Sequence, residues 1–309
     1  MADRRWTKLA MLAKIETVYG TDPAPAAADA IIGKNVTFTP IEGEEVRRDL
    51  MLPYMGSQGS ILTATYGRLE FDVEIAGSGA AGTAPKYGAL LRAAGLAATV
   101  TAGVDVVYSI VEDAIESLGL YFISDKVRHI FVGGQCNIAL NFVPKQIPTF
   151  KVSMMGLLGA VADVGVMPAV TMAGWTTPVP VSKANTTMSL HGWASVAESL
   201  SVDLGNTLTP RFLIGEERIL ISDRQSSGSA VVAAKSMAEI DWFAKARSSE
   251  RGALSLVHGL TAGNIVEIDA PAVQIGKPTQ GQTDNIVNYT LPLMLCPLNG
   301  RDELTITVR

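Results

Sequence analysis

Three groups of residues have the types and spacing that chemistry needs. Gly77, Gly79 and Gly82 form a Gly-x-Gly-x-x-Gly motif after a strand-like stretch and before the helix-like segment Pro85–Ala94. Asp105 follows at roughly the distance of a ribose-binding acid, so the pattern is that of a dinucleotide site. Glu70, Asp72 and Glu74 alternate with Leu69, Phe71, Val73 and Ile75, which puts three carboxylates on one strand face, as acid–base chemistry needs. His129, His191, His258, Cys136 and Cys296 complete the inventory of metal ligands and nucleophiles.

None of these groups is supported by the elements that would have to position it. A first dinucleotide-binding strand is buried on both faces, whereas the one here carries three acids on one side. Pro85 also delays the helix beyond the third glycine, so the glycines do not open the helix end that should hold a pyrophosphate. Three acids on the wet face of a strand are ordinary solvation. The histidines stand alone, with no HExxH and no pair at ligand spacing, and the cysteines form no CxxC. Ser57 lies in Gly56-Ser57-Gln58-Gly59, which is not a nucleophile elbow. The sequence therefore points to no catalytic, cofactor-binding or metal-binding residue, and to a chain that is not an enzyme.

At 309 residues the chain is long enough for two domains, each with its own core. Charged residues make up 18% and hydrophobic ones 48%, with a mean hydropathy of +0.25. A lightly charged surface with surplus apolar area suits burial against other subunits. A net charge of −5 excludes a dedicated nucleic-acid binder with a basic face. Two unclustered cysteines suit a reducing compartment. The opening residues 1–10 lack the apolar core of an export signal. The apolar run Met154–Gly174 is broken by Asp163, Pro168 and glycines, so no membrane span is expected.

The chain echoes itself. Ser57–Asp72 aligns without a gap on Ser226–Asp241, with Gly59, Ser60, Ala64, Glu70 and Asp72 recurring as Gly228, Ser229, Ala233, Glu239 and Asp241. A weaker echo matches Asn137, Pro144 and Gln146 to Asn264, Pro271 and Gln274. Two echoes in one order imply two similar β-rich halves. Residues 1–20 read as a short amphipathic helix or a docking arm, stopped by Pro23 and Pro25. Glu42–Asp49 reads as a charged loop, and Trp175–Pro180 as a linker. One short helix is expected over Pro85–Ala94, ended by Gly95. Strands are expected at Asn35–Pro40, Leu69–Ile75, four stretches between Leu118 and Met154, and from Leu200 onward, including Glu239–Ala244.

Taken in order, Lys14–Pro25, Phe150–Gly156, Ser201–Asn206, Asp223–Ser229 and Asn264–Ile275 resemble the major tail tube proteins of long, non-contractile-tailed bacteriophages. The resemblance spans nearly the whole chain. It implies a mainly β fold of two similar β-sandwich or barrel tube domains with a short helix, forming rings. The division expected is an arm at 1–30, a first tube domain at 31–160, a linker at 161–180 and a second tube domain at 181–309. It further implies a structural virion protein, assembled in the host cytoplasm, whose rings stack into the tube that the genome leaves through. Implied partners are copies of itself in trimers of pseudo-sixfold symmetry, or hexamers, together with adjacent rings, the tape measure protein and the tail terminator. Duplex DNA would pass without tight binding, along a lumen of acidic and small polar side chains supplied by residues 57–75 and 226–244. The alternative is another β-sandwich virion or binding protein: a tail terminator, a decoration protein or an adhesin.

Overall fold

The computed structural model describes residues 3–309. The first half contains β1 (Leu9–Ile15), β2 (Ala30–Ile31), β3 (Lys34–Arg47), β4 (Ser60–Glu74), helix α1 (Gly88–Ala93), β5 (Leu96–Thr101), β6 (Asp105–Ile110), β7 (Leu118–Ser124), β8 (Val127–Phe142) and β9 (Thr149–Asp163). The second half begins with β10 (Thr186–Leu190), β11 (Trp193–Ala194), β12 (Ala197–Asp203), β13 (Asn206–Leu213), β14 (Glu216–Arg224) and β15 (Ser227–Ala233). Helix α2 (Trp242–Ser248) follows, then β16 (Arg251–His258), β17 (Val266–Ile275), β18 (Thr279–Thr283), β19 (Ile286–Leu295) and β20 (Thr305–Val308). The chain is mainly β, as expected.

One antiparallel path runs β3-β4-β9-β8-β12-β15-β19-β18, eight strands drawn from both halves. A second runs β10-β16-β17-β20-β6-β5. Alternation along each strand turns one face inward. Leu69, Phe71 and Val73 of β4 meet Val106 and Tyr108 of β6, Leu254 and Leu256 of β16 and Ile306 of β20 in one core. Helix α1 adds Leu90, Leu91 and Ala93 to it. Each such fully buried side chain contributes about 1.5–3 kcal/mol of transfer free energy, which is what holds the two paths together.

Strand β8 joins the halves because it changes partner midway. Its first part pairs with β7, and Ala139–Phe142 pair with β12. The register on β9 shifts between Val132 and Gln135. Gly133 at this bulge has φ +61°, where any Cβ would also strike the ring of Tyr19. The buried Glu16 carboxylate accepts from the Gly133 N–H at 2.7 Å and from the Ser117 hydroxyl at 2.6 Å, which fixes the bend.

Several expectations are corrected. Residues 9–15 do not project: β1 pairs with β7 from Leu9↔Ser124 to Ile15↔Leu118, burying Met11, Leu12 and Ala13. The charged segment Glu42–Asp49 is strand as far as Arg47, since it pairs with Ser60–Tyr66 of β4. Glu239 lies in a turn and Asp241 caps α2, its carboxylate accepting from the Ala244 N–H at 2.8 Å, so Glu239–Ala244 is not a strand. Glu239 and Asp241 are therefore not the counterparts of Glu70 and Asp72. The weaker echo pairs β8 with the approach to β17, strands with different places in the sheet, and is fortuitous.

Candidate assembly edges and conduit face

The eight-strand path contains the same arrangement twice. Its first four members, β3-β4-β9-β8, come in chain order first, second, fourth, third. So do the last four, β12-β15-β19-β18. In each unit a helix follows the second strand, α1 after β4 and α2 after β15. The gapless echo is half right on this basis. Ser60 and Ser229 both lie on second strands, and equivalence is lost past Ala233, where the later copy turns into α2.

The two units meet inside the chain at β8 and β12, with Phe142 opposite Leu200 and Leu140 opposite Val202. All four side chains are buried. The far ends of the path are different. Among the described residues β3 pairs only with β4, and β18 only with β19. Both are largely or wholly exposed. Their bare N–H and C=O groups are templates for pairing.

Opposite the core, the path presents a second face. Cross-strand partners share a face, so Glu70, Ser153 and Asn137 lie side by side, as do Asp72, Lys151 and Ala139. The row continues through Asn141, Ser201, Ser229 and Pro292. Cations on it are matched by acids: Lys151 lies 3.7 Å from Glu70, Lys34 3.3 Å from Glu74 and Arg68 3.3 Å from Glu42. Asp72 accepts from the Asn35 side-chain amide at 2.7 Å. Such exposed pairs add little stability. Their effect here is a face of small polar groups with its positive charge neutralised.

The sequence located this face on β4 through the alternation of Leu69–Ile75. It missed the contribution of β8, β9 and β12, which only register reveals. Ser227, Ser229, Val231 and Ala233 of β15 share the face, with Ala230 and Val232 turned into the core, whereas Glu239 accepts instead from the Trp193 indole N–H at 3.0 Å, in the turn before α2.

The other chemical candidates have structural roles. The Gly77 N–H donates to Asn264 Oδ1 at 2.7 Å, and a Cβ there would collide with the Gly263 carbonyl. The glycines thus permit two loops from opposite halves to touch, and α1 opens well past Gly82. His258 is buried, with Nδ1 2.8 Å from the Thr186 hydroxyl and Nε2 3.2 Å from the Val179 carbonyl. Burial pushes its pKa below the ordinary imidazole value, and His191 and His129 shift the same way for the same cause. Cys136 is fully buried, and burial pushes its thiol up to about 12. The described residues contain no cluster of three or more potential metal ligands. They contain no helix long and apolar enough to cross a membrane.

A comparison with curated proteins finds no match. The family model described as phage tail tube protein, by contrast, matches residues 6–294, which take in both units, the seam between them and both bare edges. The chain belongs to the phage tail tube protein family.

Proposed function

We propose that this chain is the repeating wall of the tail tube, with copies joining edge to edge into closed rings that stack around a conduit for the genome. The observation that carries this is the in-chain seam. β8 is the third strand of its unit and β12 the first of the next. β18 and β3 are again a third and a first strand, and both are bare. Repeating the β8–β12 junction between β18 and the β3 of a neighbour leaves neither end of the eight-strand path exposed, and a closed ring ends the process.

Two units per chain favour three copies with pseudo-sixfold symmetry over six. With strands about 4.8 Å apart and tilted by about 40°, three eight-strand copies make a barrel about 45–50 Å across between backbones. Barrels with fewer strands already leave an aqueous channel. Residues 31–160 and 181–309 would be the two tube domains, joined through 161–180. The small polar face would line the lumen, where phosphates find no unmatched cation to hold them. Its occupants in turn would be the tape measure protein and duplex DNA, with the tail terminator on the last ring. The role is structural rather than catalytic.

Sedimentation and negative-stain microscopy of the purified full chain test this reading. Rings or tubes of three copies per ring are expected. Persistent monomers across concentration and salt would sink ring closure and favour a decoration protein or an adhesin.

A further inference from the structure

The two units differ in what joins their first and second strands. Between β12 and β15 the chain makes the β13–β14 hairpin, which lies against β4, β8 and β9 of the other unit. Its base is fixed there. The Asn206 side-chain amide donates to the Ala94 carbonyl, at the end of α1, at 2.8 Å and to the Cys136 carbonyl on β8 at 3.1 Å. Ile219 is fully buried, and its N–H donates to the Tyr19 hydroxyl at 2.6 Å.

The matching connection, between β3 and β4, touches nothing comparable. Leu50, Met51, Leu52, Tyr54 and Met55 stand exposed at its tip, Met51 and Met55 completely. The place matching the hairpin's seat is also vacant. Beside the end of α2 lies a hollow of about 650 Å³, walled by Phe243, Ala246, Arg247, Gln274, Lys277 and Met294. It adjoins the start of β18, the strand that matches β8.

We propose that the Leu50–Met55 tip seats in the hollow beside α2 of a second copy, as β13–β14 seats on the first unit within the chain. The inference rests on the ring closure proposed above, since only a neighbour whose β18 meets β3 brings its second unit to that side. The chain's own second unit lies across β8, at the other side of the first. Charge agrees with this partner. Arg247 and Lys277 are exposed at the hollow, and neither forms an ion pair among the described residues. The stem of the tip carries exposed Glu44, Glu45 and Asp49 beside Arg47 and Arg48, which leaves it one negative charge in excess, and none of the five forms an ion pair among the described residues. Opposed charges of this kind orient a docking segment.

The test uses the full chain with Cys296→Ser, Cys136 being buried, and adds Met51→Cys with Lys277→Cys, or Met55→Cys with Arg247→Cys. After mild oxidation, non-reducing gels are read beside negative-stain fields of the same samples. Covalent dimers and trimers are expected from each pair, and none from the single cysteines. Rings without interchain bonds in either pair, or bonds closing within one chain, would overturn this docking while leaving ring closure standing. A parent chain that forms no rings would overturn ring closure itself. As a second measurement, Met51→Asp/Met55→Asp should raise the concentration for half-assembly at least tenfold, equivalent to about 1.4 kcal/mol, with unchanged circular dichroism. An unchanged assembly concentration would overturn the docking.

Discussion

The two four-strand units share an order and little else. In the first, the strands run 14 to 16 residues; in the second, β12, β15 and β18 run 7, 7 and 5. The long strands carry β3 and β4 beyond the core into an exposed ribbon. The short ones stop at the core, and a separate hairpin fills the connection. One unit thus satisfies its contacts within the chain, while the other holds them open. A duplicated fold that stays symmetric where strands pair and diverges where loops reach out can pack against itself on one side and against another copy on the other.

The largest effect should come from damaging the contact already made. Leu200→Ala at the β8–β12 seam removes a buried side chain, and should lower stability by about 2–5 kcal/mol, read as the urea midpoint. Disturbing the matching free edge should spare the monomer. Consecutive residues point their N–H groups to opposite sides, so one of Gln280→Pro and Gly281→Pro blocks only the side of β18 away from β19. That variant should stay within about 0.5 kcal/mol of the parent, yet form no rings by sedimentation. Ring formation by both variants would break the parallel between seam and edge.

Acid should separate the units by a smaller margin. Burial holds His258 and His191 of the second half below their ordinary value, against His129 alone in the first, so the unfolded chain binds more protons in the interval between, and more of them in the second half. Their share of stability is complete above about pH 6.5 and is lost as pH falls through the depressed values. Hydrogen exchange on β10 and β16 should therefore rise more between about pH 6.5 and 5 than exchange on β4 and β9, where only His129, opposite Val161 of β9, acts. His258→Asn should flatten that slope. Equal loosening of both halves would count against the assignment.

The smallest effect should be on the small polar face proposed to line the lumen. Glu70→Lys leaves Lys151 unmatched on it, and should make assembled tubes retain duplex DNA at low salt on a filter. Glu239→Lys, off that face, should not. Retention by the unmodified tubes, or by both variants alike, would end the lumen assignment.

What the sequence disclosed follows from how local each signal is. Strict alternation over Leu69–Ile75 and the apolar stretch from Leu118 mark strands without outside help. Leu9–Ile15 has no such signature, since its apolar spacing fits a helix as well, and only β7, far along the chain, makes it a strand. β5 carries a weak signal because Leu96–Thr101 is built mostly of small residues without clear alternation, whereas Val106, Tyr108 and Ile110 of β6 do alternate and the strand was legible but not read. For α2 a signal was present and outweighed. Asp241 is an N-cap and Lys245 and Arg247 fill the last turn, but Glu239 and Asp241 imitated the alternation of β4. The small polar face was legible on one strand only, because its width depends on register between distant segments.

The placement of β20 has a consequence for folding time. Thr305 faces both Ser109 on β6 and Asp269 on β17, so one short strand completes a layer begun in each half. Until it arrives, β6 and β17 are raw edges, open to any passing strand. Closing contacts so far apart in sequence is slow, because the loop entropy is lost before the ladder compensates for it. The most distant pairing of the chain is thus expected to form late, and, if rings close as proposed above, a chain interrupted before Thr305 would meet them with two surplus edges and the capacity to branch or jam them.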